Sequence, residues 1–481
     1  MDHHQVSEYE SFLIVTIPSS PFDGVALMAD PIHGYVSFTV PMISPRATEC
    51  TEQDLIDSPW VQRLRYILQL QSARWVYPGA EHTRFQHSIG TMHLAGRFMI
   101  RLYPSLQKIL SDLPSLYFME ELARLTALLH DIGHGPFCHF FDHHHLDQFG
   151  ITHEHIGQQI ILDYLGSTIK NIRRSPSGPF VSGEYIDPAH LAFLILKNPK
   201  KSIKGLPKWL TFLQPLLGGI YTPDNCDYVL RDSYMCGVAI GPVDIERLLH
   251  YTFFTSNGLT IHQAGLPALQ MFLNARLYLY TNVYFHRTTR AIDLHLQDIF
   301  GSTISVLFPK NPLKVLPRYL SLTDWHVLET VRSWARSRSK EKRDLGQQWH
   351  HILIRHVRWK TAYSTLLEIP HVDTSFTPKA FFTHMRKRLP RSIRHVDFRV
   401  DFAHKDPRPI NMMNMGGFQI YVYNDRTHAV EKESLDHYLD YLPARMITLR
   451  VFTEDHTHDA LFGKAAEDTL RDQWPTLAHS P

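Results

Sequence analysis

Between about Ser58 and Phe308 apolar residues recur mostly at helical spacing, the signature of helices that bury one face. Ser58 followed by Pro59 has the form of an N-cap with proline at the first helical position, which predicts a helix through Trp60, Leu64, Ile67 and Leu68. Further helices are expected at roughly Arg84 to Leu102, Tyr117 to Asp131, His153 to Leu165 and Asp224 to Tyr234, with a long one near Leu266 to Leu307. A hairpin interrupts them: His250 to Phe254, a Ser256-Asn257-Gly258 turn, then Leu259 to His262. Ahead of the helices, Ser11 to Pro18 and Gly24 to Met28 are short β-type runs, and Pro31 with Gly34 marks a turn.

After Pro312 the pattern changes. Arg332 to Arg343 carries six basic residues against one glutamate, a solvated helix or linker. Strands are expected at Phe398 to Phe402, Phe418 to Tyr423 and Met446 to Phe452, and a helix near Leu435 to Tyr441. The architecture expected is mostly α, a helical bundle core with a smaller C-terminal α+β domain. Its parts are N-terminal strands and turns at 1–45, the core at 46–310, a basic helical linker at 311–345 and the α+β domain at 346–481.

A chain of 481 residues is long enough to bury a large core, and 44% hydrophobic with 20% charged content is ordinary for a globular protein. No run of about 18 uncharged apolar residues occurs, which argues against a membrane-spanning helix and a membrane partner. Met1-Asp2-His3-His4 has neither the basic flank nor the apolar run of a signal peptide. The four cysteines, Cys50, Cys138, Cys226 and Cys236, show no CxxC spacing, which points to a reducing, cytoplasmic compartment and away from a zinc ribbon or disulfide scaffold. A formal charge of +2 provides no global field toward nucleic acid. Histidine is the outlier, with 32 residues, so its clustering carries the information.

The sharpest cluster is His130-Asp131, which ends an apolar helix and runs into Gly133-His134-Gly135-Pro136. Adjacent residues diverge by about 100° within a helix, but at a helix end followed by glycine an imidazole and a carboxylate can converge. Such a donor set suits Zn, Mn, Fe or Mg. A lone pair of this kind is more often a cap with a buried histidine, but this pair has company. His87 opens another helix, and Asp224 opens a third, on which Asp227 shares its face. Two adjacent ligands plus one from each of two distant helices is how a metal site is built in a bundle core.

The order His87, His130-Asp131, Asp224 resembles the H…HD…D signature of the HD-domain superfamily of metal-dependent phosphohydrolases. HDIGHGPFCH at 130–139, YPGAEHTRFQHSIG at 77–90, DSPWVQRLRYILQL at 57–70 and DYVLRD at 227–232 resemble its dGTPase-like branch of deoxynucleoside triphosphate triphosphohydrolases, over roughly residues 28 to 307. The resemblance implies a divalent metal (Mn, Mg, Fe or Zn) on His87, His130, Asp131 and Asp224, which would activate a water for attack on phosphorus. It implies a reaction centre lined by His134, His139 and His153, with Asp142 orienting one of them. Arg84 would contact phosphate and Tyr228 flank the phosphates, while Gln69 and Asp232 would hold the sugar 3′-hydroxyl beside Leu70. Asp57 and Arg65 match positions that bind an activating nucleotide between subunits in some relatives, so a homo-oligomer, tetramer or dimer, is expected. His143, His144, His145 and His155 match nothing in the family and are expected to be exposed.

This chain departs from the pattern at Asn225, where the family has a basic residue. A family arginine aligns with Asn282, and a tyrosine beside the sugar aligns with Arg290. Arg276, Arg287 or Arg290 are candidates for the missing charge. Three readings stay open: a dNTP triphosphohydrolase releasing deoxynucleoside and triphosphate, a phosphohydrolase for another nucleotide phosphate ester, and a regulatory protein binding nucleotide or nucleic acid on a retained core. The last draws on Arg355, Arg358, Trp359, Arg386-Lys387-Arg388 and Arg391 to Arg399, for which a solvated basic face is favoured.

Overall fold

The long helices form where Ser or Thr caps them. Ser115 accepts from Phe118 N to open Leu116–Leu129, and Thr222, followed by Pro223 at N1, opens Pro223–Cys236. Thr83 and Gln86 form a capping box at the start of Arg84–Ile109. In this computed structural model, which describes residues 22–43, 49–196, 205–368, 375–405, 419–434 and 446–478, these three helices make the centre of a mostly helical core. The run expected at Ser11 to Pro18, the residue Phe418 and the helix expected near Leu435 to Tyr441 lie outside the described residues. Among the described residues no helix is long and apolar enough to cross a membrane, and all four cysteines are free thiols.

Two expected helices come out differently. Ser58 caps a helix as its sequence suggests, but the helix ends at Gln62. A 3₁₀ turn, Arg63–Tyr66, follows, and Ile67 to Gln69 then runs extended, bridging Leu68 to Thr83. The backbone bonds Arg84 N–Ile67 O and Gln69 N–His82 O replace the helical ones. The helix expected from Leu266 to Leu307 is two, Leu266–Leu279 and Arg287–Leu307. A π-turn, Tyr280–Tyr284, separates them, and the His286 side chain accepts from Thr288 N to cap the second. A π-turn inside a helical run often marks a functional site. His145, expected to be exposed, is buried at 1% exposure.

Strands lie around this core. Val25–Asp30 pairs antiparallel with Gly34–Thr39. This hairpin is tied to the central helices by Glu52, whose carboxylate accepts from Thr39 N at 2.8 Å and pairs with Arg124 at 2.7 Å. The expected hairpin at 250–262 is present as Thr252–Thr255 and Gly258–His262. Gln419–Asn424 joins it in parallel and Ala429–Ser434 extends it, so Ile420 and Val422 are buried in the main core. Lys360–Glu368, Met446–Thr453 and Phe398–Lys405 form a separate antiparallel sheet, with Met446–Thr453 in the middle. This sheet packs on Pro378–Arg388 and Asp459–Gln473 around Phe381, Phe398, Val451 and Phe462.

The basic stretch 332–343 spans the end of Asp324–Trp334 and the start of Lys340–Leu353. Arg332, Arg336, Arg338 and Lys340 are exposed and Lys342 and Arg343 half-buried, while Val331, Trp334, Trp349 and Ile352 are buried in the main core. The two helices meet at Gly346, where a Cβ would fall 2.3 Å from Ala335 N and 2.5 Å from Trp334 C. Gly346→Ala is therefore expected to lose about 1–3 kcal/mol through overpacking against rigid backbone, read as a lower urea midpoint with unchanged slope.

Candidate metal centre and adjoining cavity

His87 lies on the first turn of Arg84–Ile109, and Asp224 on the first turn of Pro223–Cys236. His130 follows Leu129 as the helix C-cap, and the chain turns there so that Asp131 points back across the same space. His87 Nε2 is 3.1 Å from Asp224 Oδ1 and 3.8 Å from Asp131 Oδ2. His130 Nε2 is 3.4 Å from Asp131 Oδ1 and 3.8 Å from Asp224 Oδ1. Ligands held at about 2.0–2.2 Å around one ion stand about 3–4 Å from one another. His87, His130 and Asp131 offer atoms close enough to one another to hold a single cation, and Asp224 Oδ1 lies against both imidazoles.

The far side of each ring supports that fit. His87 Nδ1 bonds Asp227 Oδ2 at 2.7 Å, and His130 Nδ1 bonds the Ala127 carbonyl at 2.7 Å. Each imidazole thus has its Nδ1 engaged and its Nε2 turned to the common space, the arrangement that orients metal-ligating histidines. The rings cross edge to face at 75°, so their in-plane lone pairs converge. Burial opposes a charged His87, but hydrogen bonds to Asp224 and Asp227 outweigh it and push the imidazole up to about 10. Carboxylates that hold a proton so firmly on Nε2 are equally suited to a metal cation.

Asp227 is the hub behind the centre. It is fully buried, and its Oδ1 also meets His33 Nε2 at 2.7 Å. Arg231 reaches both of its oxygens at 2.9 Å and bonds Asp30 Oδ2 at 2.9 Å. Asp30 Oδ1 accepts from Ile32 N and His33 N in the hairpin turn. The N-terminal hairpin therefore supports a metal ligand through one carboxylate. Burial would raise that carboxyl, but Arg231 and the two histidines hold it well below the usual range. Gly90 permits the approach, since a Cβ there would lie 2.0 Å from Asp227 Oδ1.

His134, His139 and His153 gather on the other side of Asp131. His134 Nε2 is 3.3 Å from Asp131 Oδ1, and Asp142 Oδ2 meets His153 Nδ1 at 2.7 Å and His139 Nδ1 at 3.2 Å. These three could be taken for a second metal cluster. The His134 and His153 rings, however, stack at 3.6 Å with an 18° tilt, so their lone pairs run side by side and do not converge. The trio is better suited to moving a proton. Burial, with Arg84 close by, holds His134 well below the usual histidine range and so neutral.

A cavity of about 420 Å³ opens beside the centre, within the roughly 300–1,000 Å³ usual for ligand sites. Gln69, Leu70, Arg84, Tyr228 and Asp232 all line it, with His87, Asp131, Asp224, His134 and His139 at one end. His130 and His153 lie behind, on a second space of about 30 Å³ shared with Asp131 and Asp224. Arg84 is bound to Asp131 and donates to Cys138 Sγ at 2.9 Å. Asp232 is held between His82 Nε2, at 2.8 Å, and the Tyr284 hydroxyl. Asp57 and Arg65 are exposed and absent from the cavity wall; the Arg65 guanidinium lies over the Phe85 ring at 3.6 Å.

Several wall residues escaped the sequence reading. Tyr280 and Tyr284 sit on the π-turn that a continuous helix concealed. Tyr284 bonds Asp232, whereas Arg290, the position that matches the family's sugar-side tyrosine, pairs with Asp293 and Asp401. Of the three arginines weighed for the missing charge, Arg287 is exposed and off the wall, and Arg290 is spent on carboxylates. Arg276 lines the cavity, donates from Nε to the Tyr228 hydroxyl at 2.7 Å and keeps a buried Nη1 without a protein partner. The Asp227 hub had one visible signal, its helical spacing of three from Asp224.

Residues 84–192 match the family model described as HD domain, and residues 243–341 match HD associated region. The chain is similar to an uncharacterized protein of Methanocaldococcus jannaschii, 35% identical over 246 residues, which is 50% of this chain and 44% of that one. It is similar to YwfO of Bacillus subtilis, also uncharacterized, 31% identical over 284 residues, 59% of this chain and 57% of that one. It is also similar to deoxynucleoside triphosphate triphosphohydrolase SAMHD1 of Mus musculus, 38% identical over 320 residues, 60% of this chain and 45% of that one. The chain thus spans about half the length of these curated relatives. A crystal structure of a hypothetical protein from Aquifex aeolicus shares the fold, with a TM-score of 0.64 at 24% identity over 93% of this chain and 100% of that one.

The hub gives a direct test. Asp227→Asn keeps the shape but removes the charge that orients His87, and is expected to weaken Mn(II) binding about 10–100-fold. Isothermal titration of the metal-stripped protein measures it; an unchanged affinity would contradict the role of the hub.

Proposed function

This chain carries an HD domain, and from that premise we propose that it is a metal-dependent phosphohydrolase that splits deoxynucleoside triphosphates into deoxynucleoside and triphosphate. The observation that carries the proposal is the placement of His87, Asp131 and Asp224, with His130 behind them, at one end of a cavity whose wall bears Gln69, Leu70, Tyr228, Asp232, Arg276 and Tyr284. The SAMHD1 relatives, whose name states that activity, support the choice of substrate.

A divalent ion on the four ligands supplies positive charge against the phosphate and lowers the pKa of water. The chain's own residues do the rest. Arg276 presents its unpartnered Nη1 to a phosphate oxygen, a task suited to a guanidinium fork. Tyr228, fixed by Arg276, flanks the phosphates, and Arg84, fixed by Asp131 and Cys138, stands at the metal end of the cavity. Asp232 and Gln69 take the sugar hydroxyl, with Tyr284 and Leu70 packed beside it. The His134, His139 and His153 group, ordered by Asp142, relays the proton released by the attacking water to the leaving oxygen, with His134 acting as a neutral imidazole that accepts on one nitrogen and donates from the other. Hydrolysis consumes one water, whose oxygen ends on phosphorus while the proton ends on the deoxynucleoside. Asp57 and Arg65, exposed away from the cavity, are left for an activating nucleotide at a subunit boundary.

One observation favours a second reading, a phosphate ester with fewer charges, such as a nucleoside monophosphate. Arg84 and Arg290 on the cavity wall are both paired with carboxylates and Asn225 there is uncharged, which leaves Arg276 as the wall arginine paired with no carboxylate among the described residues.

Incubating the purified protein with each dNTP, singly and mixed, and with a panel of nucleotide monophosphates, in Mn(II) or Mg(II), separates the two. Triphosphate release from dNTPs is expected. Asp131→Ala is expected to abolish it, and Arg276→Ala to lower kcat/KM about 10–100-fold, the value of a buried charged hydrogen bond. No turnover of any dNTP rejects the first reading, and turnover confined to monophosphates establishes the second.

A further inference from the structure

Two separate segments form the cavity wall near the metal ligands, and neither is regular structure. One is the extended piece ending in Gln69 and Leu70; the other is the loop from Gly133 to His139. Within the loop, Phe137 (φ 57°) and Cys138 (φ 53°) are consecutive non-glycine residues in the left-handed region, a conformation that persists only when its surroundings enforce it. What enforces it comes from outside the core helices. Asp324, first residue of Asp324–Trp334 and within the HD-associated region, is fully buried. Its Oδ1 accepts from Phe137 N at 2.8 Å, and its Oδ2 accepts from Leu68 N at 3.1 Å. One carboxylate thus bonds the residue before Cys138 and the residue before Gln69. The circuit is closed by the Cys138 thiol, which donates to Leu68 O at 3.1 Å.

Neighbours of Asp324 grip the same loop. The Tyr319 hydroxyl donates to Gly133 O at 2.8 Å. Arg63 donates to His134 O and to Leu322 O, each at 2.7 Å, and lies over the Tyr319 ring. These bonds run to the 133–137 backbone and leave the four metal-ligating side chains untouched. Burial pushes the Asp324 carboxyl up to about 6, against the pull of the two amides, so it remains largely ionised at neutral pH and accepts on both oxygens.

We propose that Asp324 is a positioning residue, a two-ended latch through which the HD-associated region sets the spacing between the Gln69–Leu70 wall and the Cys138–His139 wall. The latch acts on the cavity whichever phosphate ester occupies it. Asp324→Asn is the informative change: the amide is isosteric but has one acceptor atom and brings N–H groups against an N–H donor. Asp324→Ala removes both acceptors.

The test is hydrogen–deuterium exchange of the full chain, wild type and both variants, with Mn(II) titration alongside. In both variants, peptides covering 66–70 and 133–139 are expected to exchange about tenfold faster or more, together, because each loses a buried acceptor. Peptides within 84–109 are expected to hold their rate, and Mn(II) affinity to stay within about twofold. Loosening of one segment alone, no loosening in either, an even rise across the whole chain, or a parallel loss of Mn(II) affinity would each overturn the proposal. None of these readings depends on dNTP turnover, so failure of the latch and failure of the proposed substrate remain distinct.

Discussion

Negative charge crowded into a space with little water is the constraint around which this molecule is arranged. Asp131 and Asp227 are buried, Asp224 stands at their edge, and all three approach the single imidazole of His87. Unpaired carboxylates in such surroundings would be costly. Each has been given a positive neighbour: Arg84 for Asp131, Arg231 for Asp227 and His87 for Asp224. Arg231 acts from behind, whereas Arg84 bonds the Asp131 oxygen that faces His87 Nε2 and leaves Asp131 Oδ1 turned toward His130 and Asp224 Oδ1 toward both imidazoles. His87 would give up its proton to hold a metal ion there, which would link metal binding to proton release.

That arrangement explains why distant parts of the chain converge on one spot. The Asp30–His33 turn lies almost two hundred residues from Asp227, yet its His33 bonds that carboxylate directly and its Asp30 holds the arginine that bonds it from the other side. Gly90 is required there because the hub lies against the backbone of the helix that carries His87. Asp324 stabilises the opposite wall in the same manner, with one carboxylate satisfying two backbone amides that no helix or strand could satisfy. The helical core provides the frame, and buried ionic groups from its margins fix the irregular segments where ligands meet.

The residues legible in the sequence were those with local or ordered signals. His130-Asp131 stands at a helix end and His87 and Asp224 near helix starts; the structure groups His87, His130 and Asp131 closely enough to hold a metal ion, with Asp224 against the two imidazoles. Gln69, Leu70, Arg84, Tyr228 and Asp232 were named from contiguous motifs and share one cavity wall. What stayed hidden depended on breaks in periodicity. Apolar spacing through Leu266 to Leu307 is the same with or without a π-turn, because the turn adds a residue without changing polarity, and so Tyr280 and Tyr284 were placed on the wrong frame. Ile67 and Leu68 fit a helical face as well as an extended bridge to Thr83, and only the partner strand decides. Residues acting at long range, such as His33, Arg231 and Asp324, leave no local pattern because their partners lie far away in sequence.

The C-terminal sheet is drawn into the same logic. Arg290 opens the helix after the π-turn, and its guanidinium is shared between Asp293, on its own helix, and Asp401, on the strand Phe398–Lys405. Asp293 in turn accepts from Ser72, two residues beyond Leu70. Asp401 adds a second carboxylate to the one that Asp293 supplies, so the Arg290 guanidinium is held between the two beside the cavity. Across the sheet, Arg450 lies in register with Asp401, so that carboxylate sits between two guanidiniums. The sheet therefore does more than cover the end of the core: by engaging Arg290 it keeps the cavity's positive charge on Arg276, next to Tyr228 and on the wall that also carries the metal ligands.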